Sequence, residues 1–351
     1  MPDSTDQDQD VPASTQGQPA ERSGSPGVTG SPGVTGAAGS GEAAPRRQLP
    51  VDAVDLEPMG EDFTAALEAG LLELGIADGP AGMPPARQSY ELHARLLREW
   101  GAAINLTAIR EPSQIARRHV CDSLSAVPRL ARLVRPGATL LDVGSGAGYP
   151  GLPLAAALPL GRVGLLDSVG KKARFLAVAA TVVHGALVTR GAGQSHAEAD
   201  ELPAEAVGQG GADGTTADSL VPLIEAIAER AEDLAEDPEH RGAWDIVTAR
   251  AVGSLAEVLE LAMPLAREGG IVVAWKREEE HGGLRAELRD AGSIIRATGG
   301  GRPEVVVVEA AGLPGHRLVM VSKERPTPAS YPRPTGIRRR REHRARGLHP
   351  G

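Results

Sequence analysis

A single cysteine, Cys121, in 351 residues excludes an internal disulfide framework and a cysteine-built metal cluster. Aromatic residues are also scarce, at 2% of the chain, so aliphatic side chains must fill any core. No apolar run approaches the roughly 20 residues that a membrane span requires. The N-terminus lacks the basic start and apolar stretch of a secretory signal. The expectation is a soluble, cytoplasmic protein with no membrane and no metal. Neither a Ser–His pair nor a paired-carboxylate arrangement stands out, and no catalytic acid or base is assigned.

Positive charge is in deficit overall, with a net charge of -9, which by itself argues against a nucleic-acid partner. The distribution weakens that argument. Residues 191–222 hold six acids and no Lys or Arg, whereas residues 323–351 hold nine bases and two acids. Acidity is parked in peripheral segments, and one end of the chain is basic.

Four segments follow. Residues 1–50 are rich in Ser, Gly, Pro and Gln and repeat Ser-Pro-Gly-Val-Thr-Gly from Ser25 to Gly36. They cannot bury enough apolar surface to offset their ordering entropy, so they read as a disordered tail. Residues 51–135 read as helices, with Phe63, Ala66, Leu67, Leu71 and Leu74 at helical spacing and Tyr90, Leu96, Leu97 and Trp100 after a break at Pro84 and Pro85. Residues 136–323 alternate short apolar runs with helical stretches, the pattern of a parallel sheet with covering helices. Within them, 191–222 reads as a surface insertion, just before a less certain strand at Leu223–Ala228. Residues 324–351 read as a basic tail.

The sharpest feature is Leu140-Leu141-Asp142-Val143-Gly144-Ser145-Gly146-Ala147-Gly148-Tyr149-Pro150-Gly151. A buried strand runs into a glycine loop that opens a helix, and glycines there let a ligand lie against the backbone. Gly146, Gly148 and Gly151 fit a dinucleotide fingerprint, with Asp167 near the expected offset. Asp142 argues the other way, because a carboxylate beside the loop repels a pyrophosphate at the helix N-terminus. It suits a cationic ligand with an ammonium and a sulfonium, such as S-adenosylmethionine. A dinucleotide and a ligand-free structural loop remain the alternatives. Asp167 can accept both ribose hydroxyls, cap the following helix, or do both.

Several blocks in order give this chain a family resemblance. They are Asn105-Leu106-Thr107, Arg118-His119-Val120-Cys121-Asp122-Ser123, the loop from Asp142 through Leu154, Leu165-Leu166-Asp167-Ser168 with Lys171-Lys172, Arg230-Ala231-Glu232, Arg250-Ala251, Trp275-Lys276 and Tyr331-Pro332-Arg333 with Gly336. Over about residues 85–336 the chain resembles the glucose-inhibited division protein B family. These are bacterial methyltransferases acting on N7 of a guanine in small-subunit (16S) ribosomal RNA. The resemblance implies the α/β fold of class I S-adenosylmethionine-dependent methyltransferases, a doubly wound, mostly parallel sheet, here with an N-terminal helical subdomain. It implies S-adenosylmethionine as cofactor and small-subunit ribosomal RNA, free or in an assembling subunit, as partner.

Cofactor contacts carry over to Gly144, Tyr149, Ala231, Glu232 and Arg250, beside Asp142, Gly146 and Asp167 from the loop argument. Arg250 has a structural alternative, as a partner for Asp142 or Glu232. Arg118, His119 and Lys276 are candidates for the substrate side. His119 is more simply a hydrogen-bonded core histidine, and Lys276 either meets RNA phosphate or is a solvated strand end. Rival functions are a methyltransferase of this fold with another substrate and a non-catalytic RNA-binding biogenesis factor. Deleting residues 1–50 is expected to leave melting temperature and turnover nearly unchanged. A loss beyond about tenfold in rate, near 1.4 kcal/mol, would show that the tail takes part.

Overall fold

The computed structural model describes residues 48–197, 221–278, 283–310 and 312–338, with the backbone alone over 189–197. The tail read at 1–50 therefore lies outside the described residues except for its last three positions. Among those three, the Pro50 carbonyl accepts a hydrogen bond from the buried Trp100 indole at 2.8 Å. The deletion is better drawn before Gln48.

The helical subdomain begins with α1 (Glu61–Glu73), which buries Phe63, Ala66, Leu67, Gly70 and Leu71. That i, i+3, i+4, i+7, i+8 series is one helix face. Pro84 and Pro85 do more than mark a break: they open α2 (Pro84–Gly101), where a missing N–H costs nothing. Short turns follow at α3 (Pro112–Ile115), a π-helical turn (Ala116–Cys121), α4 (Asp122–Leu124) and α5 (Val127–Leu130).

The sheet then builds as β1 (Ala138–Val143), α6 (Gly151–Ala157), β2 (Leu160–Leu166), α7 (Gly170–Ala197), β3 (Leu223–Ile227), α8 (Ala231–Leu234), β4 (Trp244–Arg250), α9 (Leu255–Ala262), β5 (Ala266–Arg277), α10 (Gly283–Ala297), β6 (Glu304–Val307) and β7 (His316–Ser322). Strand order is β3-β2-β1-β4-β5-β7-β6, parallel from β3 to β5. β7 runs antiparallel to both β5 and β6. This is the doubly wound, mostly parallel sheet expected, closed by the antiparallel pair. Both faces are covered: Leu140, Val163, Leu165 and Ile246 pack into one core with Phe175 and α2, and Leu141, Val143 and Val247 into another with Trp244 and α9. The strand order reverses between β1 and β4, so the crevice at their carboxyl ends is where a ligand is expected.

Two boundaries differ from the sequence reading. The insertion expected to begin at 191 instead opens inside α7, whose backbone continues to Ala197; residues 198–220 lie outside the described residues. Residues 324–338, read as part of a free basic tail, lie against the body. Arg241 donates to the carbonyls of Thr327, Pro328 and Tyr331, and Arg333 clasps the buried Glu260 through the Nε–Nη2 edge of its guanidinium. Among the described residues, no helix is long and apolar enough to cross a membrane.

Candidate active site

Asp142, next to last in β1, has no exposed surface. Oδ2 accepts from the Ser145 hydroxyl at 2.7 Å and from the Gly151 amide at 3.1 Å; Oδ1 accepts from the Thr248 hydroxyl at 2.9 Å. Thr248 is its register partner on β4, which is why the hydroxyl stands beside it. Burial pushes the Asp142 carboxyl above the usual carboxylate range, against the pull of these donors. The sequence reading made Asp142 a carboxylate facing a cationic ligand. The structure corrects this: with no exposed surface, it positions the loop from beneath. The Gly151 amide opens α6, so the carboxylate caps that helix and occupies the place a pyrophosphate would need.

Gly144 and Gly146 carry φ of +71° and +58°, a backbone that side chains rarely adopt. The Gly146 amide donates to Asp167 Oδ2 at 3.0 Å, and Asp167 Oδ1 accepts from the Val169 amide at 2.9 Å. Asp167 thus steadies both the loop and the approach to α7, with Lys172 at 3.7 Å. A cleft of about 280 Å³ opens here, lined by Gly144, Asp167, Ala231 and Glu232 together with Lys172, Arg230, Ala251 and Val252. Sequence reasoning missed the last four as lining; Ala251, a non-glycine residue at φ 58° just past β4, stood in the Arg250-Ala251 block but was given no role. Glu232, read as meeting an adenine edge, already accepts from Thr335 Oγ1 at 2.8 Å and pairs with Arg338. These two donors and its own amide hold its carboxyl below the usual range despite the opposing effect of burial.

Tyr149 and Arg250 form a second cluster beside the cleft, joined to it because Arg250 and Ala251 are consecutive. The Tyr149 ring lies between two imidazoles, His93 at 4.4 Å and His119 at 4.8 Å between centroids. The guanidinium of Arg250 stands 5.9 Å from its ring centroid. Arg250 pairs with Asp122 at 2.9 Å and donates to His119 Nδ1 at 2.9 Å. The structural alternative named Asp142 or Glu232; the ion-pair partner is Asp122. A guanidinium only donates, so His119 Nδ1 is unprotonated, and Nε2–H faces Thr107 Oγ1 at 2.8 Å. Burial and the Arg250 cation push the His119 imidazole down to about 3. His93, whose Nε2 meets the Ala147 carbonyl at 2.8 Å, is pushed down to about 4 by burial. His119 is therefore a neutral, hydrogen-bonded histidine. His93 was missed, although it lies three residues after Tyr90 and four before Leu97, on the buried face of α2.

The other substrate-side candidates separate. Arg118 is exposed on the π-helical turn next to His119. Lys276 is not a freely solvated strand end: its side chain is 10% exposed, donates to the Gly253 carbonyl at 2.8 Å and pairs with Glu287 at 2.7 Å. It anchors the loop that follows Arg250. Arg338, counted with the basic tail, is buried against Glu232, while residues 339–351 lie outside the described residues. Among the described residues, no cluster of three or more His, Cys, Asp or Glu is placed to hold a metal.

Two predictions follow from this geometry. In Asp142→Ala, the buried Gly151 amide loses the oxygen that accepts from it, and the Ser145 and Thr248 hydroxyls lose theirs, at a cost of about 1–3 kcal/mol; a denaturant titration should show that loss. The second concerns pH. Both imidazoles titrate near 6.5 in the unfolded chain and lower in the folded one, so the unfolded state binds more protons between about pH 3 and 6.5. Stability should fall on acidification through that window. The drop in melting temperature from pH 7 to 5 should be smaller in His93→Gln and His119→Gln than in the parent; equal slopes would refute the assignment.

The chain is similar to proteins of one family. The model of the family described as rRNA small subunit methyltransferase G (GidB) matches residues 86–201 and 217–292. A ribosomal RNA small subunit methyltransferase G from Symbiobacterium thermophilum is 34% identical over 276 residues, 78% of this chain and 96% of the relative. Its counterpart in Dehalococcoides mccartyi is 35% identical over 71% of this chain and 88% of its own length. That of Deinococcus radiodurans is 34% identical over 76% and 89%. The glycine loop, the cleft and most of the helical subdomain fall within the matched span, and the chain belongs to the rRNA small subunit methyltransferase G family.

Proposed function

We propose that this S-adenosylmethionine-dependent methyltransferase of small-subunit ribosomal RNA acts on N7 of a guanine, in the cytoplasm, on RNA that is free or in an assembling subunit. The observation that carries the cofactor reading is the capped helix. With Asp142 seated on the Gly151 amide, the loop offers no phosphate position, while Asp167 presents a carboxylate at the cleft. A Cβ built on Gly146 would meet no protein atom nearer than 3.8 Å, so the loop leaves open the room a ligand needs.

The residues fit the cofactor by charge and shape. Asp167 would take the ribose hydroxyls, Ala231 and Glu232 the adenine side, and Gly144 and Gly146 the close approach along the loop. Tyr149 and Arg250, clustered beside the cleft, would complete the cofactor contacts. When bound, S-adenosylmethionine supplies a methyl group on a sulfonium. The protein's part is to hold that methyl in line with the attacking nitrogen and to exclude water. Guanine N7 has a free lone pair at neutral pH on the major-groove edge of the base, so no side chain has to remove a proton. His119, neutral and engaged at both nitrogens, fits a positioning role for Tyr149 and Arg250.

The test compares small-subunit RNA from cells with and without the gene: N7-methylguanosine should disappear from one position in the latter. Single-turnover rates should be nearly flat from about pH 6 to 9. A rising limb with an apparent pKa would instead mark a nucleophile that must lose a proton, and a methyl placed elsewhere would refute the N7 assignment.

A further inference from the structure

The Tyr331-Pro332-Arg333 block and the residues after it lie far along the chain from the glycine loop, and the chemistry above does not use them. In the structure they form a strap across the carboxyl-edge helices. Arg333 is fastened to Glu260 of α9 through Nε at 2.7 Å, Nη2 at 2.5 Å and its backbone amide at 2.9 Å. Its guanidinium stands 5.5 Å from the Tyr331 ring centroid. Arg338 donates to the Arg333 carbonyl at 2.8 Å and, through Nη2, to Glu232 Oε1, which also accepts from Thr335.

Two features separate this last contact from ordinary anchoring. The strap is already fixed upstream by the Arg333–Glu260 pair and by Arg241 on three carbonyls, so Arg338 is not needed to hold it down. Glu232, by contrast, sits on α8, a helix of four residues, in the lining of the cleft. So short an element does little to fix a side chain, and both donors that orient this carboxylate from outside α8 come from the strap. Arg338 is itself only 5% exposed.

We propose that Arg338, seconded by Thr335, is a positioning residue of the cofactor cleft, setting the orientation in which the Glu232 carboxylate meets the ligand. This rests on the reading of the cleft as the S-adenosylmethionine site. The strap then braces the pocket from behind Glu232, through a motif over a hundred residues beyond the glycine loop.

Calorimetric titration of the full chain with S-adenosylmethionine tests it. Arg338→Met should raise Kd about tenfold, and Arg338→Lys, which keeps the charge, should recover most of that loss. In a Glu232→Ala background, removing Arg338 should change Kd less than about twofold, the non-additivity expected of residues that act through one another. Thr335→Val, close to isosteric, should weaken binding about threefold alone and not at all in that background, and it serves if Arg338→Met does not fold. An unchanged Kd in Arg338→Met, or an equal loss with and without Glu232, overturns the proposal. Gly146→Val separates the two levels. If it abolishes binding while Arg338→Met keeps it, the strap proposal alone fails; if it leaves affinity intact, the cleft reading fails and the proposal with it.

Discussion

Asp142 carries a carboxylate into a sheet where it has no contact with water, and such burial costs several kcal/mol unless the oxygens are filled. The three donors that fill them come from the loop, the first residue of α6 and the neighbouring strand. One side chain therefore ties β1, β4, the glycine turn and the helix that leaves it. The positive φ of Gly144 and Gly146 follows from the same constraint: between Asp142 and Gly151 the chain must turn sharply enough for Gly151 to come back onto the carboxylate. The cleft beside the loop is lined by the Gly144 backbone and by the charged side chains of Asp167, Lys172, Arg230 and Glu232.

The helical subdomain reaches the glycine loop and is not only a cover for the sheet. Tyr149, in the loop, is gripped on two sides by imidazoles from separate elements, His93 of α2 and His119 of the π-helical turn. Arg250 links the same turn to the end of β4 through Asp122, whose other oxygen takes His316 Nδ1 at 2.7 Å and whose carbonyl takes the Trp275 indole at 2.8 Å. Loop, helices and three strand ends thus share one polar network. The residue after Arg250 is Ala251 at φ 58°, a conformation worth roughly 1–2 kcal/mol of strain. That strain is held at the cleft wall between the Arg250 network and the anchor of Lys276 on Gly253.

Much of the fold was legible because its signals are local and periodic. The α1 and α2 faces follow from helical spacing, and the parallel sheet from short apolar runs between helices. The glycine loop declared itself through closely spaced glycines that a tight turn between strand and helix favours. The roles of charged residues were far less legible. Asp142 looks like a ligand-facing acid in sequence, since spacing says nothing of whether Ser145, Gly151 and Thr248 converge on it. Lys276 and Arg338 look like solvated cations, and the partners that bury them, Glu287 and Glu232, are 11 and 106 residues away in the chain. Spacing sets secondary structure; the pairing of charges is set by tertiary packing, which one sequence does not display.

The same packing bears on the chemistry. A general base needs a nitrogen or oxygen that is free to take a proton and a pKa near the working pH. His119 gives one nitrogen to Arg250 and the other to Thr107, and burial and the adjacent cation keep it from charging. His93 is buried further, under the Ala147 carbonyl. Asp142 is saturated with donors, and Asp122 is engaged by Arg250 and His316. The polar groups nearest the loop are thus spent on structure, each holding another in place. An arrangement of this kind serves a reaction whose nucleophile arrives with its lone pair already available, and whose rate depends on where the base is held.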